Sequence, residues 1–128
     1  TLELKGEYVL EALENGVSQV EDVAGRFPQV SGLRYTWDGS QEPGNRIVSA
    51  EVLNTETGAY EPLDPEAIYS VATNDYMRNG GDGYDMLAEH AIDPYDFGTP
   101  LDTVVADYIA ANSPVAPEAE GRITRVDQ

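Results

Sequence analysis

Thr73-Asn74-Asp75-Tyr76-Met77-Arg78-Asn79-Gly80-Gly81-Asp82-Gly83-Tyr84-Asp85-Met86-Leu87 is the stretch around which the rest of the chain can be read. Gly80, Gly81 and Gly83 interrupt a sequence that is apolar and regular on both sides. Glycine tolerates positive φ and lets backbone approach a neighbour closely. Tyr84 follows the turn directly, which predicts a ring presented at the end of a loop, with Asn79, Asp82 and Asp85 supplying polar groups around it. Two readings stand side by side: a small-molecule binding loop, or a tight connection whose Asp82 caps only its own backbone.

Upstream of this loop the pattern is mostly strands. Leu2 and Leu4 alternate with Glu3 and Lys5, the period of two that marks a half-buried strand. Tyr8, Val9, Ala12, Leu13 and Val17 then fall at helical spacing, Asn15-Gly16 is a helix stop, and Glu7, Glu11 and Glu14 form the solvated face. Val30 to Trp37 predicts a strand with Leu33, Tyr35 and Trp37 on one face. Turn formers fill Asp38 to Asn45, and Ile47 to Leu53 returns as the second half of a hairpin. Tyr60 to Val71 suggests a further strand pair, interrupted by Pro62 and Pro65. Downstream, Tyr84 to His90 fits a short helix, Leu101 to Ala111 a longer one, and Gly121 to Val126 a last strand. Strands in hairpins and helices taken singly give an α+β fold, a mixed or antiparallel sheet with two main helices.

Composition narrows the functions. The 128 residues make one domain, residues 1–128, with a modest core. Seven Lys and Arg against 24 Asp and Glu leave a net charge of −17, and no basic cluster exists to meet a nucleic acid or an anionic membrane. An anionic ligand would need a local positive site against that field. Cysteine is absent, which excludes disulfide and thiolate chemistry. No apolar run approaches the about 18–20 residues that span a bilayer. The opening Thr1-Leu2-Glu3-Leu4 reads as a strand in progress, so the chain is expected to be cut from a longer protein.

No catalytic constellation stands out. His90 is the single histidine, no serine sits in a Gly-x-Ser-x-Gly elbow, and no Gly-x-x-x-x-Gly-Lys-Ser/Thr loop is present. Catalytic residues and metal ligands are therefore expected to be absent from this chain. Gly80 to Ala88 fits one copy of a calcium-binding nonapeptide, an architecture that needs several stacked copies. A stand-alone acidic binding module, taking calcium through the Gly80–Leu87 loop and without a catalytic role, is the alternative reading. The ligand best suited to the residues is flat and aromatic: Phe27, beside Pro28, and Tyr84, beside Gly83, are two rings on two loops that can sandwich a base. On the residues alone, the reading of both as core aromatics is the favoured one.

Gly25-Arg26-Phe27-Pro28-Gln29-Val30-Ser31-Gly32, taken with Asn79-Gly80-Gly81-Asp82-Gly83-Tyr84, resembles the C-terminal, substrate-binding domain of the family of 5'-nucleotidases, UDP-sugar hydrolases and 2',3'-cyclic phosphodiesterases. The resemblance runs from Leu2-Glu3-Leu4-Lys5-Gly6 to Glu120-Gly121-Arg122-Ile123. It implies that the chain is most of such a domain, truncated at its N-terminal side, with the N-terminal metallophosphatase domain of the same protein as its partner. That partner would hold the two divalent metal ions, leaving this chain without a cofactor and inactive alone. The resemblance implies a nucleoside or nucleotide ligand, with Phe27 and Tyr84 on the base, Gln29 at the base edge, Asn79, Gly81 and Asp82 from the glycine loop, and Lys5 towards the phosphate. It also implies a periplasmic or secreted protein, and neither nucleic acid nor membrane as partner.

Overall fold

The computed structural model describes residues 1–128. The elements follow in the order β1 (Leu2–Lys5), α1 (Gly6–Gly16), β2 (Leu33–Trp37), β3 (Ile47–Leu53), β4 (Tyr60–Pro62), β5 (Ile68–Val71), α2 (Asp75–Arg78), α3 (Asp85–Glu89), α4 (Leu101–Asn112) and β6 (Ile123–Arg125), with a single 3-10 turn at Gly81–Gly83. They form two sheets: β1 with β5, and a four-stranded sheet in the order β4-β3-β2-β6. All pairings are antiparallel except β6, which runs parallel to β2. The α+β class with a mixed sheet and two main helices is what the periodicities predict.

Two details differ from the sequence expectation. Strand β2 starts at Leu33, because Gly32 takes a positive φ of 71° and breaks the run from Val30. Strands β4 and β5 do not pair with each other; β4 completes one sheet and β5 crosses to the other. The crossing segment has a physical reason for its path. Helix α1 begins with backbone N–H groups that have no partner inside the helix. The N–H of Gly6 donates to the Ala67 carbonyl at 2.8 Å and that of Glu7 to the Pro65 carbonyl at 2.9 Å. The loop between β4 and β5 thus caps α1.

Helix α1 also joins the two halves of the core. On one side Leu2, Leu4, Tyr84, Met86 and Leu87 pack together, with Tyr8, Val9 and Ala12 of α1 against them. On the other, Leu13 and Val17 pack with Tyr35 and Trp37 of β2. Arg46 and Glu14 close this side. Arg46 is 3% exposed and donates through Nη1 to the Val17 carbonyl at 2.7 Å and through Nε to the Gln41 carbonyl at 2.9 Å. Its guanidinium also pairs with Glu21. Glu14 is not simply a solvated acid of α1: its carboxylate accepts the backbone N–H groups of Arg46 and Ile47 at 2.9 and 2.8 Å, anchoring the start of β3.

Helix α4 behaves differently from α1. Its apolar residues Leu101, Val104, Val105, Tyr108 and Ile109, which share one face at helical spacing, are all exposed and do not join the core. An open cleft of about 1140 Å³ is lined by Leu101 and Val104 together with Leu4, Val9 and Leu13. No helix is long and apolar enough to cross a membrane.

Candidate functional site

The glycine stretch folds as helix, turn, helix. Asn74 caps α2, its Oδ1 accepting the Met77 N–H at 2.8 Å, which is the ordinary role of asparagine at a helix start. Asn79 follows α2, and its Nδ2 donates back to the Asp75 carbonyl at 2.8 Å. Gly80 then takes φ 88° and Asp82 φ 55°, both left-handed, and the chain turns into α3. This geometry carries Tyr76 and Asp82 to one side of the loop. Tyr76 is 57% exposed, and its hydroxyl donates to Asp82 Oδ1 at 3.0 Å.

Tyr84 goes the other way. It is 2% exposed, packed with Leu2, Leu4, Met86 and Leu87, and its ring is not presented at the end of the loop. Only its hydroxyl reaches the neighbouring loop, donating to the Arg26 carbonyl at 2.6 Å. Burial, with the charge of Asp82 nearby, pushes this hydroxyl up to about 12, so it stays a proton donor at any physiological pH. At 2% exposure the Tyr84 ring leaves little face free for a ligand to stack on. The ring with a free face in the same loop is Tyr76, which stands earlier in the stretch. The local sequence does not single it out, since both tyrosines stand beside the same glycines.

The second loop brings Phe27 to the same place. Phe27 is half-buried, set edge-on against Trp37 at 5.9 Å, which fixes its ring plane. A cavity of about 290 Å³ is lined by Phe27, Gln29, Asn74, Tyr76, Asp82 and Arg26, among others. The structure therefore brings Phe27, Gln29, Asp82 and Tyr84 of the predicted residues to one cavity, Tyr84 from beneath with its ring almost wholly buried. Asn79 does not line this cavity and spends its side-chain amide on α2. Gly81 serves as the floor of Tyr76: a Cβ there would stand 2.6 Å from Tyr76 Cε1 and Cζ. Gly81→Ala should push the ring from this position, and a loss of ligand affinity with an unchanged circular-dichroism spectrum would report it.

Lys5 lies elsewhere. Its Nζ is 2.9 Å from both Glu7 and Glu66, and the hydrogen bond to Glu66, then that to Glu7, holds its ammonium well above the usual lysine range. It does not line the cavity. Of the seven basic side chains, six pair with a carboxylate: Lys5, Arg34, Arg46, Arg78, Arg122 and Arg125. Arg26, on the cavity wall, has none; its Nη1 donates to Asn15 Oδ1 at 3.1 Å and Ser18 Oγ at 3.4 Å, both neutral. In a chain of charge −17, the one side-chain cation left unbalanced by a carboxylate stands at this cavity.

The arrangement suits binding a flat polar molecule. No group of three or more His, Cys, Asp or Glu is disposed to hold a metal ion. The Gly80–Leu87 loop in particular is helix and 3-10 turn, with Asp82 engaged by Tyr76. His90, exposed, lies flat on Tyr8 at 3.8 Å and has no part in the cavity.

The profile of the family described as 5'-nucleotidase, C-terminal domain, matches residues 1–89. The 5'-nucleotidase of Mus musculus is 36% identical over 124 residues, covering 95% of this chain and 21% of its own length. The snake venom 5'-nucleotidase of Macrovipera lebetinus is 37% identical over 128 residues, covering 98% of this chain and 31% of its own. Among solved structures, the 5'-nucleotidase precursor of Thermus thermophilus superposes with a TM-score of 0.90 at 44% identity, over 99% of this chain and 25% of that one. The chain thus spans about a fifth to a third of the length of these relatives.

Proposed function

Because this chain belongs to the 5'-nucleotidase family through its C-terminal domain, we propose that it is the nucleoside-binding part of a hydrolase that dephosphorylates nucleoside monophosphates or related nucleotides. The observation that carries this reading is the 290 Å³ cavity with Phe27 and Tyr76 on its wall, two accessible rings from two loops. A nucleobase between them would gain stacking on both faces, about 1–3 kcal/mol per base, with no dependence on the protein's net charge. Asp82, beside Tyr76, is a carboxylate acceptor suited to the hydroxyls of a ribose, and the Gln29 amide is suited to a base edge. Arg26 offers the positive charge that an anionic ligand needs in so acidic a chain.

The domain boundaries follow the same reading: residues 1–128 are most of one substrate domain, and phosphate-ester cleavage belongs to an N-terminal metallophosphatase domain carrying two divalent metal ions. This chain contributes binding and orientation, and is inactive alone. A secreted or periplasmic home fits the acidic surface, and the snake venom relatives are named for a secretion. The test is steady-state hydrolysis of AMP by the full-length protein. Phe27→Ala and Tyr76→Ala should each raise KM by about 10- to 100-fold, equivalent to about 1–3 kcal/mol of lost stacking, with kcat nearly unchanged. Unmoved KM values in both variants would remove the base pocket.

A further inference from the structure

The pocket is made of two loops that are distant in sequence, and its width depends on what ties them together. Three ties meet at the C-terminal end of α1. The Asn15 Nδ2 donates to the Asp82 carbonyl at 3.0 Å, reaching the Tyr76–Asp82 loop. The Asn15 Oδ1 accepts from Arg26 Nη1 at 3.1 Å, reaching the Phe27 loop. The Tyr84 hydroxyl spans the same gap directly, donating to the Arg26 carbonyl at 2.6 Å across 58 residues of sequence. Space at this junction is used up: a Cβ on Gly83 would stand 2.7 Å from Asn15 Oδ1, and one on Gly16 would stand 2.5 Å from Pro28 Cδ and 3.1 Å from Tyr84 Oη.

We propose that Asn15 and the Tyr84 hydroxyl are positioning residues that bolt the Phe27 loop to the Tyr76–Asp82 loop and so set the separation of the two stacking rings. The inference rests on the base-pocket reading and adds to it Asn15, which does not line the cavity, and the Tyr84 hydroxyl, which is spent on the Arg26 carbonyl. Its chemistry is specific. One asparagine amide satisfies both loops at once because it carries a donor and an acceptor on the same carbon. A buried tyrosine hydroxyl that had no partner would be a desolvated polar group, so the bond to the Arg26 carbonyl is held firmly. With both ties made, the two rings are pre-arranged at one spacing, and little loop ordering remains to be done when a ligand enters.

Calorimetric titration of the full-length protein with adenosine, guanosine, cytidine and uridine in turn, alongside melting temperatures, provides the test. Tyr84→Phe keeps the ring in the core and removes the bolt; it should weaken the preferred nucleoside about 5- to 10-fold. Asn15→Asp keeps the acceptor for Arg26 and loses the donor to Asp82; it should weaken binding to a similar extent while the melting temperature holds. An effect of Asn15→Asp on affinity without one on melting separates positioning from simple stabilisation. Wild-type affinity in both variants, with Phe27→Ala still defective, would overturn the inference and leave the base pocket standing. No nucleoside binding by the wild type would overturn both.

Discussion

Arg46→Ala should lower the stability of the domain by about 3 kcal/mol, read as a shift in the urea or thermal midpoint. The side chain is buried, and its removal strands the Val17 and Gln41 carbonyls that it now satisfies. The ion pair with Glu21 adds less, because Glu21 is largely exposed and the attraction is screened by water. That pair gives the prediction a pH signature. The hydrogen bond from Arg46 holds the Glu21 carboxyl below its usual range. A carboxyl depressed by folding stabilises the native state above its unfolded pKa and loses that contribution as pH falls through the folded value. The gap between wild type and Arg46→Ala should therefore narrow on acidification below about pH 4. A gap that stayed constant from pH 7 to pH 3 would show that Glu21 contributes nothing.

Gly6→Ala should be as damaging, about 3 kcal/mol, although it replaces glycine by the best helix former inside the first turn of α1. By propensity alone the change would stabilise by about 1 kcal/mol. Close contact reverses the sign. A Cβ at position 6 would overlap the carbonyl oxygen of Asp64, with Asp64 C at 2.9 Å and Pro65 Cα at 3.0 Å. These are backbone atoms of the loop that caps α1, so relief requires moving the cap and breaking the Gly6–Ala67 and Glu7–Pro65 hydrogen bonds. Gly98→Ala is the control, since nothing lies within 4 Å of a Cβ there. A melting temperature for Gly6→Ala at or above wild type would refute the argument.

Much of the fold is legible in the sequence because its signals are local. The alternation at Leu2–Leu4, the helical stripe ending at Asn15-Gly16, and the run Ile47–Leu53 between turn formers each appear as read. Long-range facts are not legible. Tyr84 and Tyr76 are both tyrosines near the same glycines, and nothing in a window of residues tells which is buried. The decision is made by the Arg26 carbonyl, 58 positions away, which gives the Tyr84 hydroxyl a partner inside the core. Glu14 likewise reads as one more solvated acid, because its partners, the N–H groups of Arg46 and Ile47, lie 32 and 33 positions on. In a chain with 24 acids, composition hides the carboxylates that hold structure. Phe27 is easier to place at the site, because Pro28 and Trp37 constrain it from nearby sequence.

The parallel placement of β6 beside β2 also sets a timetable. Tyr35, Thr36 and Trp37 receive their second neighbours from Ile123, Thr124 and Arg125, and the Gly39 N–H finds Asp127 Oδ1 88 positions later at 2.9 Å. As the chain leaves a ribosome, β2 and β3 can zip as a hairpin early, but one flank of β2 stays bare until nearly the last of these residues has emerged. Closing so long a loop is slow compared with making a hairpin. Docking of this three-residue strand therefore comes after the β2–β3 hairpin, and nascent chains halted before Gly121 would carry an open edge available to other chains.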